Sequence, residues 1–365
     1  MKLELSVIVP TFNESGNVIP LYLEIKKHLG HSAFEVVFVD DNSSDGTIAQ
    51  INELVEQHPN VRLIRRLDKR GLSSACIEGF ASSNSKYLAV IDADLQHDPA
   101  TLKLMLDKLK QDRLDIAVAS RFTDGAHVEG LSHTREKISK FGNILSRIVT
   151  GANLSDPLSG YFMISKQVMD LVIDKLSGKG FKILLDIFST CRLNRIKLNF
   201  CELPITFRKR QYGESKLDSL VVLEFLVLIL DKIFGRFVPI RFILFIMVGL
   251  SGLVLHLLIL AMMLRFFQID FTIAQSLTTL VVMTSNFFIN NAFTYRDRRL
   301  KGRQMLTGLL SFCLACSAGA FINITMATFL FDRGIFWLIA GFVGCLVGSV
   351  WNYGITSYIT WRNIS

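Results

Sequence analysis

Cysteine and proline are scarce in this sequence of 365 residues. The six cysteines are scattered, and only Cys313 and Cys316 lie close together, which excludes a disulfide scaffold. Seven prolines among 24 glycines exclude a collagen-like chain, and a hydrophobic fraction of 50% excludes an intrinsically disordered one. The sequence also lacks a Walker phosphate loop, a serine nucleophile elbow, an HExxH pair and paired CxxC motifs.

Charged residues are sparse in the last two fifths of the chain. Residues 1–217 hold 29 Lys and Arg with 26 Asp and Glu, whereas residues 218–365 hold 11 and 6. The mean hydropathy of +0.38 is high for a soluble protein. This imbalance predicts a soluble domain over 1–217 and a membrane domain after it. The net charge of +8 divides as +3 and +5, and the second part carries its share in short clusters, which indicates membrane topology rather than nucleic-acid binding.

Four segments contain no Asp, Glu, Lys or Arg and are long enough to span a bilayer. They are residues 242–264, 271–295, 304–331 and 334–361, within a membrane domain over 241–365. The preceding stretch, 218–240, is apolar but interrupted by charges, so it predicts amphipathic helices in the membrane interface. Lys and Arg cluster before the first span, between the second and third, and after the fourth. The positive-inside rule therefore predicts that both termini and the soluble domain are cytoplasmic.

The membrane part also repeats itself. Residues 286–296 match residues 352–362 at an offset of 66 positions, and Ser251-Gly252 falls on Ser317-Ala318. Two related helical hairpins are the simplest explanation of this pattern.

Short β-branched runs alternate with amphipathic helical stretches between Leu5 and Ser120, which predicts an α/β domain with a doubly wound, mainly parallel sheet. The predicted strands are Leu5–Val9, Glu35–Val39, Val61–Arg65, Tyr87–Ile91 and Asp115–Ala119. The predicted helices are Val18–Leu29, Thr47–Gln57, Leu72–Ser82 and Thr101–Gln111. Ligands of such sheets bind beyond the carboxyl ends of the strands, and charged residues follow four of these five strands.

The strongest chemical motif is Asp92-Ala93-Asp94-Leu95-Gln96, directly after the fourth strand. Alternating carboxylates and an amide at a strand end supply the oxygen ligands that divalent cations with phosphate ligands require. A solvated acidic turn is the alternative interpretation. His97 follows the motif, where it either touches substrate or supports the residues that do.

Two further strand ends have split interpretations. In Asp40-Asp41-Asn42-Ser43, one carboxylate can bind a base or ribose while Ser43 or Asp45 caps the next helix, and the alternative is a helix cap alone. In residues 10–14, Glu14 either binds a ribose hydroxyl or begins the helix that follows. Basic residues cluster later, at Arg121 and at 135–140 and 208–216, as phosphate clamps or, for the last group, as a lipid-facing flank.

Taken in this order, the motifs of residues 1–217 resemble those of family 2 glycosyltransferases of the GT-A fold, especially the polyprenyl-phosphate sugar synthases such as the dolichyl-phosphate mannose synthases. The matching text is 7–14, 39–47, 92–97, 120–122, 159–161 and 210–216. The membrane part resembles the four-span GtrA-like domain, chiefly through residues 286–296. Phe12 and Asn42 depart from the family pattern, which leaves the nucleotide preference open.

The resemblance implies a role for each matching residue. The nucleoside pocket would comprise Pro10, Phe12, Glu14, Val39 and Asp41. The donor diphosphate would be held by Asp92, Ala93, Asp94 and Gln96 through Mg²⁺ or Mn²⁺, with Asp94 and Gln96 as direct ligands and Asp92 beside them. Arg210 and Lys216 would close over the donor phosphates. Arg121, Arg135 and Ser139 would bind the lipid phosphate, which makes Asp94, Arg121 and Arg135 the catalytic residues.

The resemblance further implies an inverting transfer of mannose from GDP-mannose to a polyprenyl or dolichyl phosphate at the cytosolic face of a membrane. The same reaction with UDP-glucose or another nucleotide sugar is one alternative. A transporter of lipid-linked sugars with a nucleotide-sugar-sensing domain is an alternative of another class.

Overall fold

The computed structural model describes residues 3–30, 32–67, 71–128, 147, 149–178, 182–208, 238–295 and 298–362. The chain divides into two compact units, Met1–Ile233 and Phe234–Ser365. The predicted boundary at residue 217 lies outside the described residues. So do nearly all of the interfacial helices predicted for 218–240, and both stay predictions.

A seven-stranded sheet forms the centre of the first unit, in the order β3-β2-β1-β4-β7-β5-β8. Its strands are β1 Leu5–Thr11, β2 Phe34–Asp40, β3 Val61–Arg65, β4 Tyr87–Val90, β5 Ile116–Ser120, β7 Phe162–Ser165 and β8 Phe200–Pro204. A separate two-stranded ribbon pairs β6, His127–Val128, with β9, Thr206–Phe207. All pairs in the large sheet are parallel except those of β7, which runs antiparallel to β4 and β5. The predicted, mainly parallel α/β sheet is confirmed.

Helices cover both faces of this sheet. They are α1 Val18–Leu29, α2 Thr47–Gln57, α3 Leu72–Ala81, α4 Ala100–Gln111, α5 Lys166–Val172 and α6 Ile183–Leu193. Along β1, Leu5, Val7 and Val9 pack in one buried cluster with α1 and α4, whereas Ile8 packs in a second cluster with α3, α5 and α6. Burial on both faces explains why the strands are nearly continuous apolar runs in the sequence.

The carboxyl ends of four strands lie at one edge of the sheet. The strands β1, β2 and β4 are parallel neighbours, and β5 points the same way because β7 is antiparallel to both β4 and β5. The segments that follow these strands therefore share this edge, as predicted for the candidate site.

Four long helices form the second unit. They are α7 Ile240–Arg265, α8 Phe271–Ile289, α9 Arg303–Phe331 and α10 Trp337–Ile355. Among the described residues, Ile240–Arg265 and Arg303–Leu330 are long and apolar enough to cross a membrane. Most of the exposed large apolar side chains of the described chain lie on these four helices. The helices occupy the four apolar segments of the sequence, and their crossing of a bilayer stays a prediction.

The predicted repeat is confirmed in the second helix of each hairpin. The helices α8 and α10 each continue into one π-helical turn, Asn290–Thr294 and Thr356–Thr360, which are related by the offset of 66 residues. Tyr295 and Trp361, which the same offset pairs, stack on each other with ring centroids 4.0 Å apart and planes inclined by 6°.

The first helix of each hairpin corrects the predicted alignment by one residue. A Cβ atom on Gly252 would lie 2.5 Å from Asn286 Oδ1, and a Cβ on Gly319 would overlap the carboxamide of Asn352 in the same way. Gly252 therefore corresponds to Gly319 and not to Ala318. Close backbone packing fixes this register, because only glycine admits the asparagine side chain.

We expect Gly319→Ala to destabilise the second unit by about 1–3 kcal/mol, because the added methyl group overlaps the Asn352 carboxamide and the helices must move apart. The thermal midpoint of the full chain in detergent measures this loss. Gly354→Ala is the matched control, because nothing lies within 4 Å of its added Cβ. Equal midpoints for the two variants would contradict the assigned register.

Candidate functional site

The segment after β4 adopts a tight turn that presents its acidic residues at the carboxyl edge of the sheet. Leu95 has φ of +60°, a left-handed conformation that is uncommon for a leucine. The backbone N–H of Gln96 donates to Asp94 Oδ1 at 3.1 Å and closes this turn. Asp94 is 7% exposed, so its carboxylate is held in one place. Strain of this kind persists where the surrounding structure imposes it, often at functional sites.

Asp92 lies beside a backbone that leaves room for its carboxylate. Gly160 has no side chain, and a Cβ atom there would lie 3.2 Å from Asp92 Oδ2. The Nδ1 atom of His97 also lies 3.8 Å from the same oxygen. His97 packs against the rings of Tyr161 and Phe207, with centroids 4.9 and 5.4 Å away. Burial lowers the pKa of His97 to about 4, so the imidazole is neutral at pH 7.

Gln96 is fixed by two hydrogen bonds to Arg208. The Gln96 side chain donates from Nε2 to the Arg208 carbonyl at 3.0 Å, and the Arg208 N–H donates to the Gln96 carbonyl at 2.9 Å. The guanidinium of Arg208 forms an ion pair with Asp98, at 3.2 Å. These contacts join the acidic turn to the start of the basic segment 208–216. Because Nε2 is used in this way, the amide oxygen is the Gln96 side-chain atom that can coordinate a cation.

The acidic turn fits a hard divalent cation. Two carboxylates and one amide supply only oxygen ligands, and the space over Gly160 accommodates the Asp92 carboxylate. Within the described part of the chain, no group of three or more His, Cys, Asp and Glu side chains could hold a metal ion. An oxygen-only set of this kind suits Mg²⁺ or Mn²⁺, which one or two carboxylates hold together with substrate phosphates and water.

We expect Gly160→Ala to impair metal use without unfolding the protein. The new methyl group would press on Asp92 Oδ2, which must move by a few tenths of an ångström. The Mn²⁺ concentration that gives half-maximal activity should rise about tenfold, the size of effect typical for residues that support a metal ligand. A titration of activity with Mn²⁺ measures it, and an unchanged titration curve would show that Asp92 does not depend on this contact.

Arg121 is held by a buried carboxylate. Its Nε and Nη2 donate to the two oxygens of Asp156 at 2.7 and 2.9 Å. Asp156 is fully buried, whereas the Arg121 side chain is 22% exposed. Burial acts to lower the pKa of Arg121, but the hydrogen bonds and charge of Asp156 outweigh it and raise that pKa. Glu202 in turn accepts the backbone N–H groups of Ser155 and Asp156 and fixes this loop.

The two aspartates at the end of β2, Asp40 and Asp41, form hydrogen bonds that hold neighbouring loops, a structural role that the sequence does not predict. The N–H and hydroxyl of Ser43 both donate to the buried carboxylate of Asp40, at 2.7 Å each. Asp41 accepts from Arg66 Nη1 at 2.5 Å and from the Gly71 N–H at 2.7 Å. Both carboxylates therefore anchor loops, and donor binding by Asp41 stays a prediction.

Asp45 fixes the turn before α2. It accepts the side-chain hydroxyl and N–H of Thr47 at 2.6 and 3.1 Å, and the N–H of Ser15 at 3.0 Å. Burial acts to raise the pKa of Asp45, but these hydrogen bonds lower it to about 2. The N-cap residue of α2 is Gly46, without a side-chain capping hydrogen bond, so the capping role predicted for Ser43 or Asp45 is wrong and Asp45 stabilises the preceding turn.

The side chain of Val39 is 0% exposed and packs in the core against α3, and its place in the nucleoside pocket stays a prediction. Ala93 is likewise almost fully buried. Pro10, Phe12 and Glu14 remain partly exposed beside them.

Four of the predicted site residues are not among the residues that the structure describes. Arg135, Ser139, Arg210 and Lys216 lie outside the described residues, so their contacts with phosphates stay predictions. The structure also adds residues that the sequence pattern did not reveal. Arg66 and Asp156 are buried partners of predicted site residues, and Lys182 interacts electrostatically with Arg121, Asp156 and Asp92. No local motif marks these three, because each acts through a neighbour distant in sequence.

Comparison with known families places two domains on the chain. Residues 6–172 match the model described as "Glycosyl transferase family 2", and residues 244–361 match "GtrA/DPMS, transmembrane domain". The two matches correspond to the two compact units of the structure.

Curated relatives share this organisation. Dolichol-phosphate mannosyltransferase of Pyrococcus furiosus is 34% identical over 361 residues, which is 98% of this chain and 99% of the relative. Dolichol-phosphate mannosyltransferase of Saccharomyces cerevisiae is 34% identical over 62% of this chain and 85% of its own. Among solved structures, glucosyl-3-phosphoglycerate synthase of Mycobacterium tuberculosis is 14% identical over 63% of this chain and 78% of its own, with a TM-score of 0.48.

Proposed function

This chain belongs to the dolichol-phosphate mannosyltransferase family of family 2 glycosyltransferases, and on that premise we propose that it transfers mannose from GDP-mannose to a polyprenyl phosphate. The family resemblance predicted from the sequence is confirmed for both units. The chain is accordingly a glycosyltransferase and a membrane protein. The identity of the sugar, the nucleotide and the lipid is part of the proposal.

The acidic turn at residues 92–96 is the observation that carries the proposal. It supplies oxygen ligands for a divalent cation at the carboxyl edge of the sheet, and Gln96 ties it to Arg208, where the basic segment 208–216 begins. A nucleoside diphosphate carries two negatively charged phosphates, which proteins bind with a metal ion and with basic side chains. Oxygen ligands for a metal on one side and Arg and Lys side chains on the other are the usual means of binding it.

Asp94, Gln96 and Asp92 would hold the Mg²⁺ or Mn²⁺ ion. When bound, the cation supplies positive charge that stabilises the departing diphosphate. The protein's contribution is to keep these oxygens in position. The hydrogen bond from the Gln96 N–H to Asp94, and the space over Gly160 for Asp92, do so before substrate arrives.

The acceptor requires no general base. A polyprenyl phosphate is already anionic at pH 7, so its oxygen can attack the anomeric carbon directly, and one displacement inverts that centre. The protein must bind the acceptor phosphate in line with the leaving group. Arg121, with Arg135 and Ser139, is proposed for this role, and the bidentate contact with Asp156 fixes the orientation of the Arg121 guanidinium.

We further propose that the reaction takes place at the cytosolic face of the membrane. Support comes from the Lys and Arg clusters between the apolar segments, which the positive-inside rule assigns to the cytoplasm. An acceptor whose phosphate lies at headgroup depth would then meet a water-soluble donor at the surface of the bilayer.

The experiment that tests the sugar assignment compares donors with one acceptor. Full-length protein in detergent receives dolichyl phosphate, Mn²⁺ and radiolabelled GDP-mannose, UDP-glucose or UDP-N-acetylglucosamine in separate reactions. We expect label to enter the lipid extract at least tenfold faster from GDP-mannose. Faster labelling from a uridine nucleotide would overturn the mannose assignment and keep the reaction class. Label in lipid from none of them would overturn the proposed function.

A further inference from the structure

Lys182 is a lysine beside the candidate site that forms no direct ion pair within the described part of the chain. It directly precedes α6 and is partly buried. Its Nζ donates to the Leu158 carbonyl at 3.4 Å, which is long for a hydrogen bond. No carboxylate of the described chain forms an ion pair with it. Burial and the nearby Arg121 both lower its pKa, the effects expected of a desolvated ammonium beside another positive charge.

The position of Lys182 is between the two halves of the candidate site. Leu158 belongs to the turn 156–160, in which the Ser159 N–H donates to the Asp156 carbonyl at 3.2 Å. At one end of this turn Asp156 holds Arg121, and at the other Gly160 faces Asp92. Lys182 accordingly interacts electrostatically with Arg121, Asp156 and Asp92.

With a divalent cation on Asp92 and Asp94, the charges around Lys182 have an excess of positive charge unless an anionic substrate binds. The carboxylate of Asp156 is used by Arg121, through two hydrogen bonds. The carboxylates of Asp92 and Asp94 are proposed ligands of a divalent cation. Lys182 is then left as a partly desolvated positive charge at the junction of the acceptor and metal regions. Buried charges are normally paired, so the missing partner is an anion that enters with substrate.

We propose that Lys182 binds a phosphate oxygen of a substrate in this site. The proposal rests on the proposed function, which brings two phosphate groups to this edge: the diphosphate of the nucleotide sugar and the monophosphate of the lipid. An ammonium group binds either one as a compact charge with three donors. Lys182 would thus be a phosphate-binding residue in addition to those implied by the family motifs.

Kinetics of three variants test the proposal and separate the two sources of phosphate. Lys182→Met removes the charge, Lys182→Arg retains it, and Lys197→Met alters an exposed lysine of the same unit. We expect Lys182→Met to raise the KM for one phosphate substrate by about tenfold or more, with partial rescue in Lys182→Arg. A rise for the nucleotide sugar assigns the donor diphosphate, and a rise for dolichyl phosphate assigns the acceptor. Unchanged values for both overturn the proposal.

Stability and binding measurements exclude a purely structural role. Because the Lys182 side chain has only one long hydrogen bond among the described residues and its charge is partly buried, Lys182→Met should unfold at a temperature no lower than the wild type. A lower midpoint with unchanged KM values would mean that the lysine only supports the turn. Calorimetric titration with Mn²⁺ and pyrophosphate, and separately with farnesyl phosphate, needs no turnover. Equal affinity of wild type and Lys182→Met for both probes, or binding of neither by the wild type, would overturn the proposal even if the proposed reaction proved wrong.

Discussion

Replacing Asp94 by asparagine should lower turnover by about 10²–10³-fold at saturating Mn²⁺, the range found when a group that stabilises developing charge is removed. The asparagine oxygen can still accept the N–H of Gln96, so the strained turn at Leu95 is retained. What is lost is the negative charge that a divalent cation needs. The expected result is therefore a folded protein with an unchanged thermal midpoint and almost no transfer activity.

The matched control for this variant is Asp112→Asn. Asp112 is an exposed residue that pairs with Lys108 at 2.9 Å on the surface of the same unit. Its loss of charge should leave turnover within experimental error of wild type, because exposed pairs contribute little. Full activity of Asp94→Asn at saturating Mn²⁺ would show that Asp94 is not a metal ligand. A large loss in Asp112→Asn would point to a general effect of surface charge instead.

Asp156→Ala is expected to cause the largest loss of stability in the first unit. Asp156 is fully buried and accepts two hydrogen bonds from Arg121, so its removal leaves a cation without its partner. Removal of one member of a buried ion pair lowers the free energy of unfolding by about 3–5 kcal/mol. Because Arg121 is 22% exposed, we expect a loss at the lower end, about 3 kcal/mol. For a unit of this size that corresponds to a midpoint lowered by roughly 6–12 °C.

The measurement is thermal unfolding of the full chain in detergent, followed by a probe of the first unit. Asp107→Ala is the control, because Asp107 pairs with Lys103 at 2.5 Å through side chains that are 37% and 45% exposed. That pair should contribute less than about 0.5 kcal/mol. Similar midpoints for Asp156→Ala and Asp107→Ala would contradict the assignment of Arg121 to a buried, oriented ion pair.

The sequence predicts the first half of the sheet closely, because each element there carries a local signal. The helices Val18–Leu29 and Thr47–Gln57 have the predicted bounds, since their apolar periodicity ends at turn-forming residues. The strand β7 has no such signal in the sequence. It is four residues long and gains its place by antiparallel pairing with β4 and β5, which are distant along the chain.

The candidate site shows the same division. Asp92, Asp94 and Gln96 are predictable because a strand, a turn and alternating oxygen ligands lie within a few residues. The sequence places Val39 at a strand end but does not show that helix α3 covers its side chain. The Arg121–Asp156 pair spans 35 residues, and no local pattern links the two. Predictions thus succeed where neighbours in sequence act together and fail where tertiary packing chooses the partner.

Two glycines, Gly252 and Gly319, show how the helices of the second unit pack against each other, which composition alone does not. The sequence offset aligned Gly252 with Ala318, whereas the fold pairs it with Gly319 because an asparagine from the next helix occupies the space of a side chain. A one-residue shift of this kind follows from helix contact and is invisible in a pairwise match of short motifs.

The most direct test of the account is transfer of label into lipid by the purified full-length chain. The account predicts that GDP-[¹⁴C]mannose, dolichyl phosphate and Mn²⁺ together give labelled lipid, that omission of any one abolishes it, and that the product has the inverted, β-anomeric configuration. Release of free mannose without labelled lipid, or equal labelling of lipid in the presence of a metal chelator, would contradict it.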